Sequence, residues 1–388
     1  MKARTRALLA LIVFAALLPG MLHADPLDAV LGKALFDRQW IPAPASTNAS
    51  DGLGPLFTSR SWAGCHARGD GAHIVTRDDG NGDIAGAVVR FGKADGTTDP
   101  FYGLELQTNA VPGLTPEGQV RFLPDLKYNL KGPALGEDVH AGARLAPPLF
   151  GKGAFDDVPD EAILMRAAAN AHNGDGVKGR ANVTPRGIGR YGWKAGQVTI
   201  EEQVAHAFAF DIGLSSPKQP LPYGDCTKLE TDCLALPNGE SPLFEGHEIS
   251  SVMLGVVATY LKTLRARPLS ESPPVFAAAG CAACHSPTLM IRDGRQIPAF
   301  TDLLLHDMGP ALDDGVGEPG VKSSEWRTAP LIGGRLHPER QRYLHDGSAA
   351  TVEEAVEKHC GEADHSRNLF EALTPDDKKR LVDYVNGL

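Results

Sequence analysis

Cys281-Ala-Ala-Cys284-His285 is the stretch of this sequence whose residue types and spacing point most directly to chemistry. A CxxCH pentapeptide lets two thiols add to the two vinyl groups of one haem while the adjacent imidazole ligates its iron. Other uses of a CxxC pair fit less well. A redox dithiol needs no following histidine, and a zinc site needs a second Cys/His pair at finger spacing, which the sequence lacks. A degenerate copy stands upstream as Ser61-Trp62-Ala63-Gly64-Cys65-His66, with tryptophan in place of the first cysteine. Cys65 retains the chemistry for one thioether, and His66 that for iron ligation. Two readings of Trp62 stay open: packing on a porphyrin face, or filling the space a porphyrin would take.

Three cysteines remain. Cys226 and Cys233 bracket a short polar loop, Thr-Lys-Leu-Glu-Thr-Asp, which predicts a structural disulfide in an oxidising compartment. A catalytic dithiol is the alternative, without a CxxC arrangement to favour it. Cys360 is left unpaired, next to His359.

These residues must be carried by a chain of 388 residues, long enough for two domains. Apolar residues make up 42% and charged residues 22%, a balance that argues against wholesale disorder. The net charge of −10 argues against a nucleic-acid binder with a broad phosphate footprint. Lys2, Arg4 and Arg6 precede an apolar run from Ala7 to Leu18, then Pro19-Gly20 and a small residue, Ala24. That pattern predicts a signal peptide over 1–24, cleaved near Ala24, and a periplasmic mature protein. The run is shorter than the roughly 20 residues a membrane span needs, and no other stretch could span a bilayer.

Periodicity predicts helices over Asp25–Arg38, Asp160–His172, Ile200–Leu214 and Glu245–Arg265. The first has Leu27, Val30, Leu31 and Leu35 at helical spacing, and the last carries an apolar stripe from Ile249 to Leu264. Thr351-Val-Glu-Glu354 and Thr374-Pro375 predict capped starts for two short C-terminal helices. Residues 41–148 are rich in Gly, Pro, Asp and Asn, with no convincing strand alternation. The expectation is a mainly α protein with long irregular loops. The break at Pro268–Pro274 divides it into an N-terminal region, 25–266, and a C-terminal region, 267–388.

Several motifs recur in order: Asp51-Gly-Leu-Gly-Pro-Leu-Phe57, the Cys65-His66 pair, Ala146-Pro-Pro-Leu149, Gly189-Arg-Tyr-Gly-Trp-Lys194, Phe300 to Gly309, Trp326-Arg-Thr-Ala-Pro330 and Leu344-His-Asp-Gly347. With them the chain resembles the bacterial di-haem oxidoreductases, often labelled thiol oxidoreductases and related to di-haem cytochrome c peroxidases. The resemblance implies two cytochrome-c-like haem domains, each with one haem c, passing electrons from a C-terminal to an N-terminal haem in peroxidase-like chemistry. It also implies His359 as the distal ligand of the iron held by His285, with His306 and Met308 as runners-up. His73 and His140 are possible distal ligands for an iron held by His66. A peroxidase needs a base near an open iron. Gln107, Asp156 and Glu161 fall in the corresponding region, and Tyr343 and Glu353 in the similar places of the C-terminal copy. Asn173 and Asp175 resemble part of a calcium loop, in which Ala171 replaces an expected acid. The implied partner is a small redox protein or other electron donor. The alternative is a non-enzymatic electron-transfer cytochrome, one use of which is periplasmic metal uptake.

Overall fold

The computed structural model describes residues 26–47, 50–172, 176–268, 271–333 and 341–388. The expected signal peptide lies outside these residues, as do Asn173 and Asp175 of the expected calcium loop. Ten α-helices run in chain order: α1 Pro26–Asp37, α2 Trp62–Cys65, α3 Asp160–Asn170, α4 Ile200–Ala207, α5 Thr231–Leu234, α6 Ser251–Thr263, α7 Pro274–Ala278, α8 Val352–Glu357, α9 Asp364–Glu371 and α10 Pro375–Gly387. No helix among the described residues is long and apolar enough to cross a membrane.

The expectation of a mainly α protein is corrected here. Helix accounts for 32% of the structure and strand for 18%, and the strands form seven two-stranded antiparallel sheets. The largest pairs Ala87–Gly92 with His140–Leu145, Ala87 standing opposite Leu145. Val89 and Phe91 pack there with Tyr102, Leu106 and Phe122 in a core of their own. The Gly- and Asp-rich stretch thus builds hairpins. Its strands are two to six residues long, too short for period-2 alternation to stand out from the turns between them.

Two C-terminal helices start where their caps predict, Thr351 and Thr374 accepting hydrogen bonds from the backbone N–H groups of Glu354 and Asp377. The helix expected over Glu245–Arg265 begins later, at Ser251, where Ser250 accepts from the Met253 N–H. The buried face of α1 differs from expectation. Gly32, Leu35 and Phe36 point inward, whereas Leu27, Val30 and Leu31 are exposed. The cause is the crossing with α6, where a Cβ on Gly32 would lie 1.9 Å from the Val256 carbonyl oxygen. Only a glycine permits that approach, and it turns the helix about its axis.

The largest core draws on both halves of the chain, from Phe36 and Trp62 to Phe276, Phe300 and Val385. Polar contacts tie the halves as well. Arg180 Nε reaches Glu325 Oε1 at 2.6 Å, Arg144 pairs with Asp314, and the Lys178 N–H donates to Glu362 Oε2 at 2.8 Å.

Candidate haem site

Cys281, Cys284 and His285 are placed by a turn that only their neighbours allow. Two residues past the end of α7, Gly280 sits at φ +75° against Ser366, so a side chain there would be strained and crowded. Cys281–Ala283 then form one 3₁₀ turn, closed by the His285 N–H on the Cys281 carbonyl at 2.9 Å. Both thiols are free, and burial pushes Cys281 up to about 11. Burial also raises Cys284. They are neutral thiols facing a cavity, without the lowered pKa of a redox dithiol.

The histidines of this site are arranged for a metal. His285 Nδ1 donates to the Phe300 carbonyl at 3.1 Å, and His359 Nδ1 donates to the Ala355 carbonyl at 2.6 Å. Since a carbonyl only accepts, each ring carries its proton on Nδ1 and keeps the Nε2 lone pair available. Phe300 adopts φ +48°, unusual for a bulky residue, and its carbonyl is the one that orients His285. Burial and the neighbouring His359 pull His285 down to about 4, and burial lowers His359. Both imidazoles are therefore neutral at physiological pH, the form that ligates iron.

Cys281, Cys284, His285 and His359 line one cavity of about 250 Å³. Its walls are mainly apolar, with Phe276, Leu312, Ile332, Val352 and Val385, and Met308 also faces it. Lys152, Arg327, Arg342 and Arg367 stand at the same cavity, cations suited to the two carboxylates of a haem. These residues fit a haem c. The N-terminal half contributes to the wall through Gly71, Ala72, Ala146 and Trp193.

His306, a runner-up ligand, has both ring nitrogens engaged. Its Nε2 meets Asp302 Oδ2 at 2.9 Å and its Nδ1 meets Glu362 Oε2 at 2.8 Å. The two carboxylates hold it well above the usual histidine range against the effect of burial, and they take up both of its ring nitrogens. One wall bears a group that sequence reasoning missed. The Trp326 ring stacks on His345 at 3.6 Å, with Lys194 Nζ 3.5 Å from its centroid. Lys194 donates to the carbonyls of Lys322, Ser323 and Glu325, and burial brings it down to about 7. Trp326 and Lys194 stood in sequence motifs, but nothing in the sequence signalled that they meet.

The degenerate copy is built differently. Ser61 caps α2 by accepting from Gly64 N at 3.1 Å. Trp62 is 5% exposed and packs with Phe36 at 6.0 Å and Phe208 at 5.9 Å, and it stacks on His66 at 5.7 Å. The Cys65 thiol lies beside the Ser59 hydroxyl near Asp211 and Glu105, and burial pushes it up to about 12. His66 is buried next to Lys152 and pulled down to about 4, with no partner for Nδ1 among the described residues. Neither Trp62, Cys65 nor His66 lines the cavity described above. The orphaned nitrogen is the one feature here a metal would satisfy. A porphyrin would need a slot, and aromatic side chains fill the surroundings, so these residues do not fit the group.

Of the residues expected near an open iron, Tyr343 alone lines this cavity. Gln107 is buried, with its amide nitrogen donating to the Phe210 carbonyl and its amide oxygen accepting from Thr58. Asp156 accepts from Tyr191 and Ile200 and pairs with Lys262. Glu161 and Glu353 are exposed. Tyr343 does face the cavity, and its hydroxyl donates to Asn386. His73 is half-buried and His140 exposed, and neither lines the cavity. Around Gln107 lies a buried set of acids unseen in the sequence: Glu105, Glu117, Asp211, Asp225 and Glu230, with Arg90 among them. Cys226 and Cys233 form a disulfide, and Cys360 Sγ accepts from Arg367 at 3.0 Å.

Comparison with known proteins bears on this site. No curated protein matches the chain. A chain of Kuenenia stuttgartiensis hydrazine synthase is 20% identical over 44% of this chain and 65% of that one, just under two thirds, with a TM-score of 0.24. The family model described as "Di-haem oxidoreductase, putative peroxidase" matches residues 125–388. That span holds Cys281, Cys284, His285, His359 and all the cavity cations, and it begins after the Trp62–His66 segment. On this match, the chain belongs to the di-haem oxidoreductase family.

Proposed function

We propose that this chain is an exported c-type haem oxidoreductase in which Cys281 and Cys284 attach the haem and His285 and His359 are its axial ligands. The observation that carries the reading is the convergence of two thiols and two neutral imidazoles on one apolar cavity, each imidazole fixed through Nδ1. When bound, a haem supplies one-electron exchange between ferric and ferrous iron. The protein residues do the rest. Phe300 and Ala355 orient the imidazoles, the apolar wall excludes water, and Lys152, Arg327, Arg342 and Arg367 neutralise carboxylates. A histidine on each side of the iron favours electron transfer over attack on a substrate at the metal. The Cys226–Cys233 disulfide and the N-terminal basic-apolar segment support export, and a small redox protein suits the role of partner.

Peroxidase chemistry, the family's description, requires an open coordination position, which His359 controls in this reading. The test is the absorption spectrum and pyridine haemochrome of protein matured with c-type attachment machinery. A covalent haem with a low-spin spectrum is expected. Protein that matures without covalent haem, or with an iron high-spin at rest, overturns the proposal.

A further inference from the structure

We infer that this chain carries a single covalent haem, at Cys281 and Cys284, and that its Trp62-Ala-Gly-Cys65-His66 segment has become part of the apolar core built around Trp62. The inference rests on the haem reading above for the first site and adds a claim about the second.

Three independent features of the segment support it. The first is packing. Trp62 is enclosed by Phe36 of α1 and Phe208 beyond α4, and Phe36 in turn meets Tyr260 of α6 at 5.2 Å. A tryptophan so placed fills the junction of three helices, and an interior at crystal-like density has no spare room for a macrocycle beside it. The second is the direction of the remaining thiol. Cys65 lies with Ser59, Asp211 and Glu105 and does not line the haem cavity. Cys281 and Cys284 both line it, although Cys284 also has His306, Asp302 and Glu362 beside it. What sets Cys65 apart is its absence from the cavity wall. The third is His66. Its ring packs on the Trp62 indole, the two planes inclined by 24°, which ties it to that aromatic cluster, and neither residue lines the haem cavity.

The N-terminal half keeps a part in haem chemistry by another route. Gly71, Ala72, Ala146 to Pro148, Lys152 and Trp193 line the cavity of the C-terminal haem. The cavity is thus one pocket with walls from both halves of the chain. A chain with one haem exchanges one electron at a time, so it meets its donor and its acceptor in succession.

Intact mass and pyridine haemochrome of the matured full chain test this, together with acid–acetone extraction of any haem held without a thioether. The expected result is one covalent haem per chain and no stoichiometric extractable haem. Cys65→Ser is expected to keep that haem content and spectrum, and the double variant Cys281→Ser/Cys284→Ser to lose covalent haem. Two haem masses per chain, a stoichiometric extractable haem, or loss of haem in Cys65→Ser would overturn the single-haem inference while leaving the first-site reading intact. Wild-type protein without any haem would overturn both.

Discussion

Trp62–His66 and Cys281–His285 are two versions of one pentapeptide, and they differ at its first position. Around Cys281 the turn opens on a cavity, and the thiols and imidazole face it together. Around Trp62 the turn is closed by Phe36 and Phe208, and the remaining thiol lies among polar groups. Both histidines are buried and neutral. What separates them is the space beside them. His285 lines the cavity with its Nδ1 tied to the Phe300 carbonyl, while His66 lies outside that cavity, packed on the Trp62 indole. A ligating residue type needs an open slot as well as an orienting partner.

The sharpest way to break this comparison is to remove each histidine. His285→Ala is expected to abolish ligation and, with it, most covalent haem in the matured protein, a loss on the order of tenfold. His66→Ala is expected to leave haem content within experimental error of wild type. Pyridine haemochrome per mole of chain measures both, and equal losses would erase the distinction between the two sites.

A second substitution probes the other proposed ligand. His359→Ala removes an imidazole that lines the same cavity as His285 without touching either thiol. The spectrum is expected to change from low-spin to high-spin with haem content retained. Turnover with hydrogen peroxide is expected to rise by about tenfold or more once a coordination position opens. An unchanged spectrum would show that another side chain, with Met308 first in line at the cavity wall, holds that position.

Parts of this arrangement were legible in the sequence because short-range chemistry fixes them. Thr351 and Thr374 marked helix starts, since a cap needs only a side-chain oxygen and an N–H three residues on. Ser250 did not, and the helix expected from Glu245 begins at Ser251. What was not legible depends on distant partners. Leu27, Val30 and Leu31 have helical spacing but stay exposed, because Gly32 meets the Val256 carbonyl more than two hundred residues away. The Trp326–His345–Lys194 stack joins three segments, and no local pattern marks it. The hairpins between 73 and 145 escaped because their strands are brief. Trp62 posed a choice that only its neighbours could answer.

Trp62 itself offers a smaller effect that separates core from cofactor. Trp62→Ala is expected to cost about 3–5 kcal/mol, as for other large buried aromatic side chains. That corresponds to a Tm lower by roughly 5–10 °C in thermal unfolding of the matured protein. The haem spectrum is expected to stay unchanged, because Trp62 does not line the cavity. A spectral shift without loss of stability would place the indole on a porphyrin face instead. Trp62→Phe is expected to recover most of the lost stability.

The smallest predicted effect contrasts how the buried acids and the buried histidines respond to pH. Near the degenerate copy, burial raises Glu117 to about 10 and Asp225 to about 8, and Glu230 adds to the rise at Glu117. These acids hold protons in the folded protein that the unfolded chain releases above about pH 4.5. Their contribution to stability is therefore complete at low pH and is lost as pH rises toward the folded values. The buried histidines of both pentapeptides have the opposite sense. His285 and His66, near 4 when folded, stay neutral while the unfolded chain takes up protons below about pH 6.5, so their contribution is lost as pH falls from there. Glu117→Gln keeps the shape and removes the titration, so it is expected to flatten the alkaline limb by about 1–2 kcal/mol between pH 7 and 9. The acid limb, below pH 6.5, is expected to remain as in wild type, because the substitution leaves His285 and His66 untouched. Tm measured across pH 4–9 for the two proteins reads out both limbs. A variant that shifted the acid limb as well would mean that the acids and the histidines titrate as one unit, and the contrast between them would fail.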